Sequence, residues 1–128
     1  MEFKVLISGS RDGCHMNIIK FMIDYILQHY PNKNYILIHG NAKGVDTLVK
    51  NYCETLHWQC IAYSPDWKTL GKKAGVLRNQ DMVDTNPDFG LFIPSMKSVG
   101  TLDCYERFLK INKPGLFYDP HTEYVKEI

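Results

Sequence analysis

The chain has no long apolar run. No stretch approaches the roughly 20 consecutive apolar residues needed to cross a bilayer, so no membrane role is expected. The opening M-E-F-K-V-L-I-S-G-S turns polar and glycine-containing too early for the apolar core of a signal peptide. Nor is there an excess of charge: 15 Lys and Arg stand against 14 Asp and Glu, a formal net charge of +1. Proteins that lie along duplex DNA draw most of their affinity from neutralised phosphates and carry a strong basic balance. Extended nucleic-acid binding is therefore disfavoured, while a local basic patch stays open. Cysteine is scarce and unpatterned. Cys14, Cys53, Cys60 and Cys104 form neither a C-x-x-C pair nor a metal-ligand spacing, which fits reduced structural thiols in a cytoplasmic protein and predicts no metal site. Internal repeats, low-complexity tracts and linkers are missing too. Neither G-x-G-x-x-G nor G-x-x-x-x-G-K-[ST] occurs, which removes the standard dinucleotide and P-loop readings.

What remains is an ordinary globular composition, 45% hydrophobic and 23% charged over 128 residues. That is enough chain for one domain, residues 1–128, with one continuous core. Short apolar runs alternate with longer amphipathic ones. Phe3 to Ile7, Tyr35 to Ile38, Trp58 to Tyr63, Phe89 to Ile93 and Leu116 to Tyr118 read as strands. Between them Ile19, Met22, Ile23, Ile26 and Leu27, then Val45, Leu48, Val49, Tyr52 and Leu56, fall at helical spacing. A third helix is predicted over residues 72–85, with Val76, Leu77, Met82 and Val83 to pack, and a fourth over Thr101 to Ile111. The last ten residues give no readable signal. Strict alternation implies right-handed crossovers and a parallel sheet covered on both faces. The expected fold is a three-layer Rossmann-like α/β sheet of about five strands in the order 3-2-1-4-5. Its ligand crevice would lie where strand order reverses, between the first and fourth strands.

The unusual residues follow strand ends. G-S-R-D places Gly9, Ser10 and Arg11 after the first strand; a permissive backbone, a hydroxyl and a planar cationic fork suit an anion, and equally suit a solvated turn. H-G-N-A-K-G-V-D brackets a helix start with Gly40 and Gly44, and puts Asp46 in the first turn as cap or dipole partner. His39 reads as a hydrogen-bonded structural histidine. Arg78 and Asn79 are polar among residues that want burial, so they sit either on the surface, as the residues alone favour, or in the crevice. P-S-M-K-S-V-G-T puts Lys97, Ser98, Gly100 and Thr101 at a helix start, either as a serine-capped helix or as a cradle for an anion.

Taken in order, G-S-R-D, H-G-N-A-K-G-V-D, P-D-W-x3-G-K-K-A-G-V-L-R-N-x2-M-V and K-S-V-G-T resemble the SLOG superfamily, over residues 3–118. That group holds the cytokinin-activating LOG enzymes and the DNA-processing Smf/DprA proteins, and the similarity points to its small single-domain YspA-like branch. The resemblance implies a Rossmannoid that binds a nucleotide or nucleotide-derived phosphorylated ligand as a binding or sensing module, with a phosphate that could recruit a divalent cation such as magnesium. It moves Arg78 and Asn79 into the crevice with the loop residues named above. The alternative it implies is a nucleoside monophosphate N-glycosidase (phosphoribohydrolase), with Arg78 and Asp103 as the catalytic candidates; a DNA-processing role ranks third. Arg78 with Met82 matches the LOG R-x-x-x-M motif. The LOG P-G-G-x-G-T-x-x-E motif is matched less well: S-M-K-S-V replaces the double glycine, and Cys104 occupies the glutamate position. A homo-oligomer is the expected assembly.

Overall fold

The computed structural model describes residues 1–12 and 16–128; Cys14 lies outside the described residues. Six strands form one sheet in the order β3-β2-β1-β4-β5-β6. They are β1 (Glu2–Gly9), β2 (Asn34–His39), β3 (Gln59–Ala62), β4 (Phe89–Ile93), β5 (Gly115–Tyr118) and β6 (Val125–Glu127). The first five pair in parallel in the expected order, and β6 adds an antiparallel edge. Asp119 turns the chain back, its Oδ1 accepting the His121 amide at 2.8 Å, and Lys126 then lies 5.0 Å above the Phe117 ring.

Side chains of one strand part to two cores, which makes three layers. From β1, Val5 and Ile7 join Leu37, Leu91 and Ile93 under α1 (Met16–His29) and α2 (Val45–Thr55). Leu6, between them, faces the other way, with Ile38, Phe92 and Phe117, under α4 (Ala74–Asp84) and α5 (Val99–Leu109). Successive residues of a strand point to opposite faces. That period explains why V-L-I runs without polar interruption in a strand covered twice.

The third helical region is broken. Asp66 accepts the Thr69 amide at 3.2 Å and caps a single turn, α3 (Trp67–Leu70). Gly71, at φ 59°, ends it, a 3-10 turn spans Gly71–Lys73, and α4 begins at Ala74. Met82 and Val83 pack as expected, but Val76 and Leu77 are 42% and 43% exposed. The inward face of α4 belongs instead to Ala74, Asn79, Met82 and Val83. Trp58 precedes β3 and is buried against Tyr35, ring centroids 4.7 Å apart. No helix among the described residues is long and apolar enough to cross a membrane.

Candidate functional site

β1 and β4 pair at the centre of the sheet and then diverge, β1 running on towards α1 and β4 towards α5, which cover opposite faces. The Ser10 amide donates to the Ile93 carbonyl at 2.9 Å, carrying the ladder to the rim. A cavity of about 320 Å³ opens between the two loops. Gly9, Ser10 and Arg11 of the first loop line it, with Gly40 and Asp46 from the second, Arg78 from α4, and Lys97, Ser98, Gly100 and Thr101 from the fourth. Segments far apart in sequence thus meet at the reversal of strand order.

Three other residues singled out from the sequence stay off the wall. Gly44 is a packing glycine: its φ is +82°, and a Cβ there would press on the Ser10 and Arg11 carbonyl oxygens at 2.5 and 2.6 Å. Its neighbour Val45 donates its amide to the Ser10 carbonyl at 3.0 Å, which locks the first and second loops together. Asn79 is buried behind Arg78. Its Oδ1 accepts Arg78 Nε at 3.0 Å, and its Nδ2 donates to the Gly100 carbonyl at 3.1 Å and to Asp103 Oδ2 at 3.0 Å. Asp103 lies further out still, paired with Arg107 at 2.9 Å, while Arg107 also donates to Gln80 Oε1 at 2.8 Å. Burial alone would raise the Asp103 carboxyl, but hydrogen bonds from Arg107 and Asn79 outweigh it and hold the group below the ordinary aspartate value. A carboxylate so occupied braces the wall without touching the cavity.

Arg78 is held from both sides. Nε meets Asn79, and Nη1 donates to the Gly40 carbonyl. A methyl at Gly40 would collide with the guanidinium, so this glycine makes room for the arginine. Among the described residues, neither Arg11, Arg78 nor Lys97 forms a salt bridge. The α5 end is uncapped as well: Ser98 occupies the cap position without a side-chain cap bond, and its Oγ accepts the Ser95 amide at 2.8 Å. First-turn amides of a helix have no acceptor within it, so those of Gly100 and Thr101 face the rim with the positive end of the helix dipole. A Cβ at Gly100 would meet nothing within 4 Å. The fold does not need that glycine. A group approaching the backbone from the cavity would.

Asp46 is 4% exposed. Its Oδ2 accepts the Gly40 amide at 3.0 Å, while Oδ1 has no hydrogen-bond partner among the described residues. Burial pushes the carboxyl up to about 6, against the pull of the Gly40, Ala42 and Gly9 amides and the Arg78 charge. Those amides favour the carboxylate electrostatically, while among the described residues only that of Gly40 is in hydrogen-bond geometry. His39 is buried and structural: its Nδ1 accepts the Asn41 amide at 3.1 Å, and burial lowers its affinity for a proton. Cys104, at the position of the LOG glutamate, belongs to the core cluster of Leu6 and Phe108, its thiol pushed up by burial to about 12. No group of three or more His, Cys, Asp or Glu side chains among the described residues is placed to hold a metal.

Ser8, Asp12, Ala42, Met82, Ser95 and Val99 also line the cavity. Some of these carried a usable signal. Ser8 shares the face of Leu6 by strand period, and Met82 shares that of Arg78 by the i, i+4 rule. Val99, an apolar residue 81% exposed, carried none.

These features define a SLOG-type Rossmannoid with a polar crevice. The chain belongs to the YspA, cpYpsA-related SLOG family (YAcAr), which matches residues 3–69. That span includes the first two loops and not Arg78 or the α5 start. Gene 61 protein of Mycobacterium phage D29 is 32% identical over 116 residues, 87% of this chain and 92% of that protein. Among solved structures, DNA processing protein A (DprA) from Streptococcus pneumoniae superposes with a TM-score of 0.64 at 20% identity, covering 90% of this chain. Protein VC1899 from Vibrio cholerae does so at 0.56 and 12% identity, covering 99%. This chain spans 50% of the first and 33% of the second, and at such identities the likeness is one of fold.

Proposed function

We propose that the cavity binds a nucleotide or nucleotide-derived phosphorylated ligand, and that the protein acts as a binding or sensing module. The observation that carries this is a convergence: Arg11, Arg78 and Lys97, none of them in a salt bridge among the described residues, meet an uncapped helix start in one cavity. Unpaired cations and free amides facing one space repel each other electrostatically until an anion arrives, and a phosphate satisfies both. Calorimetric titration with a nucleotide panel tests the reading. Binding should weaken at least tenfold in Arg78→Ala. A well-folded sample that binds no phosphorylated compound at millimolar concentration would refute it. A single-stranded DNA gel shift with a steep salt slope, in the absence of small-molecule binding, would instead favour DNA handling.

Hydrolysis of an N-glycosidic bond is the second reading, and Asp46 favours it, being a carboxyl near 6 beside Arg78 at the cavity wall. Water would add its hydroxyl to C1′ and its proton to the departing base, with Asp46 rather than Asp103 as the nearby carboxylate. Chromatographic release of free base, lost in Asp46→Asn, distinguishes this reaction from binding alone.

A further inference from the structure

We infer that the cavity recognises the phosphosugar end of its ligand, a pentose 5-phosphate either free or carried by a nucleotide, and reads the base weakly. This rests on the phosphate reading above and narrows it. The volume, about 320 Å³, is at the small end of the roughly 300–1,000 Å³ of ligand pockets. No described residue of the wall is aromatic, whereas protein sites that grip bases use stacking partners worth about 5- to 150-fold each in affinity. Among those residues the wall is rich instead in hydroxyls, of which Ser8, Ser10 and Thr101 are themselves buried.

The polarity is also divided in space. The uncapped amides belong to α5, on one face of the sheet, and Asp46 belongs to α2, on the other. A phosphate on the α5 side leaves the rest of the ligand pointing across the crevice towards Asp46. There Oδ1 is buried without a hydrogen-bond partner among the described residues, and a buried acceptor left unpaired is costly. A carboxylate oxygen only accepts, so the ligand atom that serves it must carry a hydrogen. A sugar hydroxyl, one or two bonds from a 5-phosphate-bearing carbon chain, has that hydrogen and no competing charge. A second phosphate does not, and neither does an apolar group.

The test is isothermal titration of the whole chain with inorganic phosphate, ribose 5-phosphate, 2-deoxyribose 5-phosphate and the four common nucleoside monophosphates. Ribose 5-phosphate should exceed inorganic phosphate by at least about tenfold, the worth of one or two hydrogen bonds. The four nucleotides should fall within about fivefold of it. Asp46→Asn should shrink the ratio between the ribose 5-phosphate and inorganic phosphate affinities, both measured on the variant, to within about threefold. If that variant does not fold, the ratio of ribose 5-phosphate to inorganic phosphate affinity in the native protein decides alone. One nucleotide binding 100-fold tighter than ribose 5-phosphate would show a base-reading site, overturning this inference and leaving the phosphate reading intact. Inorganic phosphate binding as well as ribose 5-phosphate would also overturn it. No binding of any phosphate would remove both.

Discussion

Replacing Asp46 by asparagine tests the electrostatics of the cavity before any ligand is known. The side chain is almost wholly buried in the first turn of α2, and its carboxyl is pushed up to about 6 from an ordinary 3.8. That gap, at about 1.4 kcal/mol per pH unit, corresponds to about 3 kcal/mol. The native state holds the proton more tightly than the unfolded chain does. The contribution to stability is therefore complete below about 3.8 and is lost as pH rises through about 6. Asparagine has the same shape, can still accept the Gly40 amide and does not titrate. Urea unfolding of both proteins from pH 3.5 to 8 isolates the effect, because the other carboxylates cancel in the difference. The variant should gain on the native protein by about 3 kcal/mol across that range, most of it between pH 4 and 6.5. A difference that stays flat, or one that runs the other way, would mean the carboxylate is better solvated or better paired than its geometry shows. The unpaired Oδ1 on which the ligand argument leans would then go as well.

Three further outcomes are expected. Gly100→Ala should stabilise the ligand-free protein by about 0.5–1 kcal/mol, since the site is helical and the methyl meets nothing; calorimetric melting should show the gain while ribose 5-phosphate binding falls. Asn79→Ala should cost about 1–3 kcal/mol in chemical denaturation, because it strips three hydrogen bonds from a buried position. Asp103→Asn, on a partly exposed ion pair, should cost under about 1 kcal/mol, so equal losses from the two would contradict the hierarchy drawn here. In mass-spectrometric alkylation of the native protein, Cys60, which is half-buried, should react before Cys53 and Cys104, both buried with raised thiols; rapid labelling of Cys104 would place it at the cavity after all.

The sheet was legible because its strands are apolar on both faces and its helices are not. Periodicity separates those cases without any tertiary information, and the order 3-2-1-4-5 is the simplest winding of five such strands. β6 was not legible. Tyr124-Val125-Lys126-Glu127 has no apolar alternation, being an edge whose two outer residues face solvent, and it pairs because Asp119 builds the turn that returns it. The third helix read over residues 72–85 returns as α4, whereas the single turn α3 before it was not read. Gly71-Lys72-Lys73 carries ordinary helix formers after the glycine, and only the positive φ at Gly71 shows the interruption.

α4 shows why helical spacing could not assign the site. On hydrophobicity alone Val76 and Leu77 should turn inward and Arg78 and Asn79 outward, and the structure exposes the first pair and buries Asn79. The orientation is fixed by polar contacts with segments about 20 to 40 residues away: Gly40 offers its carbonyl to Arg78, Gly100 and Asp103 take the Asn79 amide, and Gln80 takes Arg107. Burying a hydrogen-bonded asparagine costs little when every donor is met. Leaving one valine and one leucine half-exposed gives up only part of their transfer energy, a few kcal/mol at most. The fold accepts that loss to hold an arginine against a glycine backbone at the cavity wall. A sequence pattern records which residues are apolar. It does not record that the loop of Gly40 and helix α5 will later converge to satisfy the polar ones.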